Sequence, residues 1–339
     1  MFQQRYVVVF KMKNDGNKNM KTVIPYHKEN YNCVQNMVYT LSRFYAREYQ
    51  MFLLEGWGIK YNGTMQGLSH RVDFVLKGFP NREYLLSKYH GISYVHNVQS
   101  PVYISNISAY LDEKRLGIYW DTYDCRWLNT YQKTRGIHFC LITNCDNRYI
   151  YCIDQFSTCC DEIVLPKEFL SMNHGVVYID KLSMPHIEYK EYINEIKQTI
   201  VDFKKFQCLD NYSRYLNDLQ NEELLSYEIT HTKDLRASNA MMQLRYMANN
   251  KMNLIEALEY VQSKTGVSFD RTIQKLKTLY LRYSKIRAII LKGILMKKIS
   301  NYDTLCGECM SIEEEEREML DSLEYEINIH EKNTSGWNA

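Results

Sequence analysis

The chain carries no strong charge of either sign. Its 42 Lys and Arg residues stand against 40 Asp and Glu, so the overall balance gives no electrostatic reason to expect a nucleic acid or a membrane surface as partner. Long apolar runs are also missing. Residues 6–10 (Tyr-Val-Val-Val-Phe) are too short for a secretory h-region, and no later stretch approaches the roughly 18 apolar residues of a membrane span; a cytoplasmic protein is expected. There is no internal repeat and no low-complexity linker. Proline (5) and glycine (14) are scarce while tyrosine is abundant at 29; with frequent Asn, Lys and Ile this matches a coding bias towards AT-rich codons, and no function follows from it. Ten cysteines would suit disulfides in a secreted chain. Scattered through this length without a signal segment, they favour reduced thiols, most of them small buried hydrophobes.

What is present is the profile of a soluble globular protein: 339 residues, 45% hydrophobic and 24% charged, enough for one large domain or two ordinary ones. The first half reads as mixed α and β. Val34, Met37, Val38, Leu41, Phe44 and Tyr45 follow helical spacing over about 33–49, with Asn32 as N-cap. Strand character is found at 72–76, 117–121, 137–143, 149–154 and 176–179, the third and fourth forming an antiparallel hairpin around residues 144–148. After Pro185 the pattern turns helical: about 187–206, 210–222, 233–249, 252–264, 268–299 and 311–328. The expected organisation is an α+β domain over 1–185 and an all-α domain over 186–339.

Chemistry concentrates on three residues. Cys33 starts the first helix, where unpaired amides and the helix dipole stabilise a thiolate and can donate to an oxyanion. A cysteine beginning a helix is by itself more often a packing residue. A hairpin centred on Asp146 sets His138 opposite Asp154, and directly opposed residues share a face of the sheet. There the carboxylate would hold one ring nitrogen and leave the other to take a proton from the thiol. Cys, then His about a hundred residues later, then an opposed Asp, is the order of papain-like thiol enzymes.

At these residues the chain resembles a known family. Residues 136–143 (Gly-Ile-His-Phe-Cys-Leu-Ile-Thr), Cys145-Asp146 and Tyr151-Cys152-Ile153-Asp154 are similar to the His and Asp motifs of thiol enzymes related to the bacteriocin-processing peptidases. Within that group the likeness is to the butirosin BtrH-type acyltransferases. Asn32-Cys33, residues 56–61 (Gly-Trp-Gly-Ile-Lys-Tyr) and residues 119–123 (Tyr-Trp-Asp-Thr-Tyr) fit their further motifs, and the likeness covers roughly 25–180. It implies a papain-like cysteine-protease fold for the N-terminal domain and an acyltransferase or amide synthase of specialised metabolism, akin to closthioamide-type amide synthases. An acyl or peptidyl group would pass from the phosphopantetheine thioester of a carrier protein, through Cys33, to a small amine. No cofactor or metal would be bound by the enzyme itself; the phosphopantetheine belongs to the carrier partner.

Two positions depart from the pattern. Many thiol proteases of this shape carry a Gln oxyanion donor six residues before the Cys, where this chain has His27; the candidates are therefore His27, Gln35 and the amide of Cys33. Asn144 stands where the turn usually carries Gly, and Asn tolerates positive φ. Trp57, Tyr61, Trp120 and Tyr123 are candidates for an acyl channel, although aromatics in such numbers are more often core, and Asp121 resembles a family position near the active site, although a strand-end Asp is commonly structural.

Other features are weaker. The basic helix at 268–299 is either a solvated face or a docking surface for an acidic carrier, with RNA unsupported by any motif. The acidic run Glu313–Glu316 is expected on a solvated face. Cys306 and Cys309 have redox or metal spacing but lie between predicted helices with no second ligand pair, Cys159-Cys160 is no stronger, and the remaining histidines form no spaced cluster. The competing functions are a thiol peptidase or amidase, with water as acceptor, and a non-catalytic carrier-binding module.

Overall fold

The computed structural model describes residues 23–62, 72–73, 82–97, 107, 110–111, 114–155, 162–232, 238–299 and 301–335. Along the chain these form α1 (Cys33–Tyr45), a 3-10 segment (Gln50–Trp57), β1 (Lys60–Tyr61), β2 (Val72–Asp73), α2 (Arg82–His90), β3 (Ile92–Asn97), β4 (Arg115–Asp121), β5 (Ile137–Cys145), β6 (Tyr149–Ile153), β7 (Ile163–Pro166), a second 3-10 segment (Lys167–Met172) and β8 (Gly175–Lys181). There follow α3 (Tyr189–Lys205), α4 (Cys208–Leu219), α5 (Glu222–His231), α6 (Asn239–Thr265), α7 (Asp270–Met296) and α8 (Tyr302–Ser335). The class is α+β. Residues 74–76 of the expected strand at 72–76, residues 233–237 of the expected helix at 233–249, His70, and the pair Cys159-Cys160 lie outside the described residues.

The chain divides into two compact units, one of residues 1–49 with 86–185, the other of 50–85 with 186–339. The expected 1–185 domain is thus corrected: residues 50–85, including the Trp57 and Tyr61 motif, fall with the helical unit. That unit is not purely helical, since β1 and β2 pair within it.

In the first unit, six antiparallel strands run in the order β3-β8-β4-β5-β6-β7. Alternation along the strands sends Leu116, Ile118, Trp120, Cys140, Ile142, Ile150, Cys152 and Val176 into one core, as period-two geometry requires. Phe139 points to the opposite face and is fully buried as well. Gly117 is needed beside it, because a Cβ there would sit 1.9 Å from Phe139 Cζ. The helix α1 starts on a reciprocal cap: Asn32 Oδ1 accepts from Gln35 N and Gln35 Oε1 accepts from Asn32 N, both at 2.9 Å, satisfying two backbone donors at once. It ends earlier than expected because Ala46 turns left-handed (φ 52°) and donates to Arg43 O.

The second unit holds its helices with polar pairs as well as apolar packing. Lys251 is fully buried, donates to Glu316 Oε2 at 2.8 Å and lies 4.7 Å from the ring centre of Tyr212; Tyr283 Oη donates to Glu316 Oε1 at 2.9 Å. This is why α6 runs unbroken through Asn250-Lys251, where a polar break was expected: Lys251 is an interior residue with its own counter-charge. The acidic run is likewise not a solvated face, since Glu316 is buried with Lys251 and Glu315 accepts from Arg282 Nε at 2.8 Å. On the basic helix α7, Arg282 and Lys285 pair with Glu308, and Lys275 pairs with Glu318. Those three cations are paired with α8. Cys306 and Cys309 lie inside α8, not between helices, and burial pushes the Cys309 thiol up to about 12. Among the described residues, no helix is long and apolar enough to cross a membrane.

Candidate active site

Three side chains from separate elements of the first unit meet in one hydrogen-bonded chain. Cys33 occupies the first helical position of α1, immediately after the Asn32 cap. Its thiol is hydrogen-bonded to the His138 ring. His138 Nε2 in turn lies 2.7 Å from Asp154 Oδ2, which leaves Nδ1 as the nitrogen that serves the sulfur. His138 is 4% and Asp154 1% exposed, whereas Cys33 is half-buried, so the sulfur is the member of the trio with most access to a reactant.

The sequence placed His138 directly opposite Asp154; the register is different. Leu141 pairs with Ile153 and Ile142 with Cys152, while beyond a bulge at Ile142/Asn144 the pairs become Asn144 with Tyr151 and Cys145 with Ile150. Continued past Ile153, this register sets Asp154 across from Cys140 and makes His138 its diagonal neighbour. Because the slip is an even number of residues, both remain on one face, and diagonal neighbours are within reach of long side chains. The bulge also removes the role expected of Asn144. It has no positive φ but sits in β5, and its Oδ1 accepts from Cys145 N at 2.8 Å. The turn is closed by Asp146, whose Oδ1 accepts from Arg148 N and Tyr149 N at 2.7 Å each.

Burial works against a charged His138 ring. The hydrogen bond to Asp154, the hydrogen bond to Cys33 and the Asp154 charge outweigh it and push His138 up from 6.5 to about 10. It is therefore imidazolium throughout the neutral range, the counter-ion that an anionic sulfur requires.

Asp154 has a second donor that the sequence did not disclose. Trp127 Nε1 donates to the same Oδ2 at 2.8 Å, and the indole is packed against Trp120 and Phe169. Trp127 arrives on the β4–β5 connection, which Asp121 closes at its base: Oδ1 accepts from Tyr123 N (2.9 Å) and Gly136 N (3.2 Å), and Oδ2 from Arg135 Nη1 (2.7 Å). Burial raises the Asp121 carboxyl, but these donors outweigh it and hold it below its ordinary value. Asp121 thus shapes the loop.

Three of the four aromatic residues offered for a channel or for the core are buried. Trp120 is buried in the core of the first unit and donates from Nε1 to Phe169 O at 3.3 Å. In the second unit Trp57 is buried and stacked on Phe203 at 4.7 Å between ring centres. Tyr61 is buried there too, its Oη donating to Asp218 and its N to Asn211 Oδ1. All three are packing residues. Tyr123 is half-buried under the Arg135 guanidinium, 4.6 Å from the ring centre.

Of the oxyanion candidates, Gln35 has its carbonyl oxygen in the helix cap. His27 is exposed, and its Nδ1 is 2.8 Å from Gln155 O. A carbonyl only accepts, so Nδ1 donates in this contact. The cap uses only the side-chain oxygen of Gln35, so its Nε2 stays a candidate donor beside the Cys33 amide, one of the unpaired donors of a helix start.

His138, Cys140 and Asp154 also place one potential metal-ligand atom each within 4.8 Å of one another, a direct result of Cys140 facing Asp154. Burial, with Asp154 beside it, pushes the Cys140 thiol well above its ordinary range, and a thiol must lose its proton to ligate. The group fits a hydrogen-bonded dyad over a neutral thiol better than a metal centre.

No protein-family model matches this chain, and no curated protein matches it in sequence.

Proposed function

We propose that this protein is a cysteine-dependent acyltransferase or amide synthase with a papain-like catalytic unit, as the resemblance to the butirosin-type acyltransferases implies. The observation that carries the reading is the continuous chain from the Cys33 thiol through the His138 ring to Asp154, closed by the Trp127 N–H.

In this reading the proton of Cys33 resides on His138, and the sulfur attacks the carbonyl of a carrier-bound phosphopantetheine thioester. The carbonyl electron pair moves to oxygen, where the Cys33 amide at the helix start donates to it. Collapse forms the acyl-enzyme and expels the carrier thiolate, which takes the proton from His138. An amine then attacks the acyl-enzyme and gives its proton to the now neutral imidazole; collapse of the second tetrahedral species releases the amide and restores the sulfur anion. Asp154 keeps the ring oriented through both steps, with Nδ1 towards sulfur.

A peptidase or amidase differs only in having water as the acceptor. The deciding experiment supplies a carrier-bound acyl thioester with and without amines and identifies the products by mass. Amide formed at the expense of free acid supports the transferase; free acid at the same rate in both arms supports the hydrolase. If Cys33 takes no acyl group in either arm, the chain is a non-catalytic carrier-binding module.

A further inference from the structure

The sheet itself does not hold Asp154. β6 ends at Ile153, and among the described residues its ladders with β5 and β7 stop at Ile153 and Cys152. The carboxylate on which His138 depends therefore sits one residue past the paired backbone, and side-chain contacts must fix it. Two donors reach its Oδ2: His138 Nε2 at 2.7 Å and Trp127 Nε1 at 2.8 Å. They differ in kind. In the reaction proposed above the imidazole alternates between charged and neutral, whereas an indole N–H only donates and does not titrate. Trp127 is the donor whose hold stays the same as the proton moves.

The indole is itself firmly seated. It is half-buried against the core, edge-on to Trp120 (6.0 Å between ring centres, 79°) and tilted on Phe169 (6.3 Å). Trp120 stands directly opposite His138 in the β4–β5 register, so the wall that seats the indole is built on the strand beside the imidazole. The connection that carries Trp127 is a run of closed turns: Cys125 N donates to Thr122 O, Leu128 N to Cys125 O and Tyr131 N to Leu128 O. Thr122 joins its two ends, from N to Gly136 O (2.7 Å) and from Oγ1 to Thr134 O (2.8 Å). A packed indole N–H needs some acceptor, and a backbone carbonyl suffices, as Phe169 O does for Trp120. The Trp127 N–H goes instead to the carboxylate that orients the histidine. We propose that Trp127 is a positioning residue of the Cys33 site: its N–H fixes the Asp154 carboxylate, and through it the His138 ring, while the proton passes between sulfur, ring and leaving group. For its effect on turnover the inference rests on the reaction proposed above; its effect on the contact between Asp154 and His138 does not.

The test separates the N–H from the shape of the ring. Stop-codon suppression places 3-benzothienylalanine at position 127, which keeps the bicyclic outline and replaces the N–H by sulfur; Trp127→Phe, which keeps an aromatic ring and also lacks the donor, is the second variant. Acylation of Cys33 by the acetyl thioester of N-acetylcysteamine is followed by intact mass, and the His138 Nε2–H proton by NMR. In both variants the maximal acylation rate should fall about 10–100-fold, the worth of one hydrogen bond to a charged group, with the half-saturating thioester concentration within about twofold of the parent. The Nε2–H resonance, sharp in the parent because the proton is held against Asp154, should broaden by faster exchange with water. An isostere that acylates within about threefold of the parent overturns the proposal, and so does one whose Nε2–H resonance is unchanged; in either case the indole acts by shape alone. If the isostere does not fold, Trp127→Phe decides by the same two readouts. If the parent itself never forms acyl-Cys33, the functional reading fails, and the Nε2–H resonance still decides whether Trp127 holds the dyad.

Discussion

Asp154→Asn removes one charge and leaves the shape of the dyad in place. An Asn oxygen can still accept from both His138 Nε2 and Trp127 Nε1, which now converge on one Asp154 oxygen at 2.7 and 2.8 Å. What disappears is the attraction between carboxylate and imidazolium. At about 2.7 Å and an effective dielectric of about 20 this is roughly 6 kcal/mol, or about four pKa units. Burial, which already opposes the charged ring, then has less against it. His138, held at about 10 in the parent, should titrate near or below 6.5 in the variant. The assay is the pH dependence of the histidine ring resonances by NMR, with His138 assigned by comparison with His138→Asn. In the parent its ring should stay protonated up to about pH 10; in Asp154→Asn it should be neutral by pH 8, and acyl-Cys33 formation at that pH should fall about 10²–10⁴-fold. A parent His138 that titrates near 6.5, or one whose titration ignores the loss of Asp154, refutes the electrostatic reasoning.

The same shift links folding to pH. A group raised from 6.5 to about 10 on folding contributes stability that is fully present below about pH 6.5 and lost as pH rises through about 10; urea midpoints of the parent should therefore decline over that window, and those of Asp154→Asn should decline much less. In the helical unit, Lys251→Met strands Glu316 in the interior and should cost about 3–5 kcal/mol. The double change Lys251→Met with Glu316→Leu should recover most of it, and equal midpoints for the single and double variants would contradict the buried-pair account.

Where local physics was strong, the sequence was informative. Asn32 marked the start of α1 and therefore the place of Cys33, and the β4, β5 and β6 runs stood out by alternation and turn residues. The hairpin register was not legible, because a bulge is a property of two strands meeting and leaves no mark in either one alone. The His138–Asp154 pairing survived only because the slip was even. Polar Asn250 and Lys251 imitated a loop, since the counter-charge that allows Lys251 inside α6 stands 65 positions away at Glu316. Trp57, Tyr61 and Trp120 drew attention as aromatics, but nothing in their spacing said that partners such as Phe203 and Phe169 would bury them. Trp127 gave no signal at all: it sits outside regular elements, and its meaning comes from the Asp154 carboxylate that the fold brings to it.

The central claim is that Cys33 carries the acyl group, and the direct measurement is peptide mapping by mass after mixing the protein with a carrier-bound acyl thioester. The account predicts an adduct on the Cys33 peptide that forms within turnover, disappears when an amine is added and is absent in His138→Ala. An adduct on another cysteine, or none on Cys33 while product still forms, would contradict it.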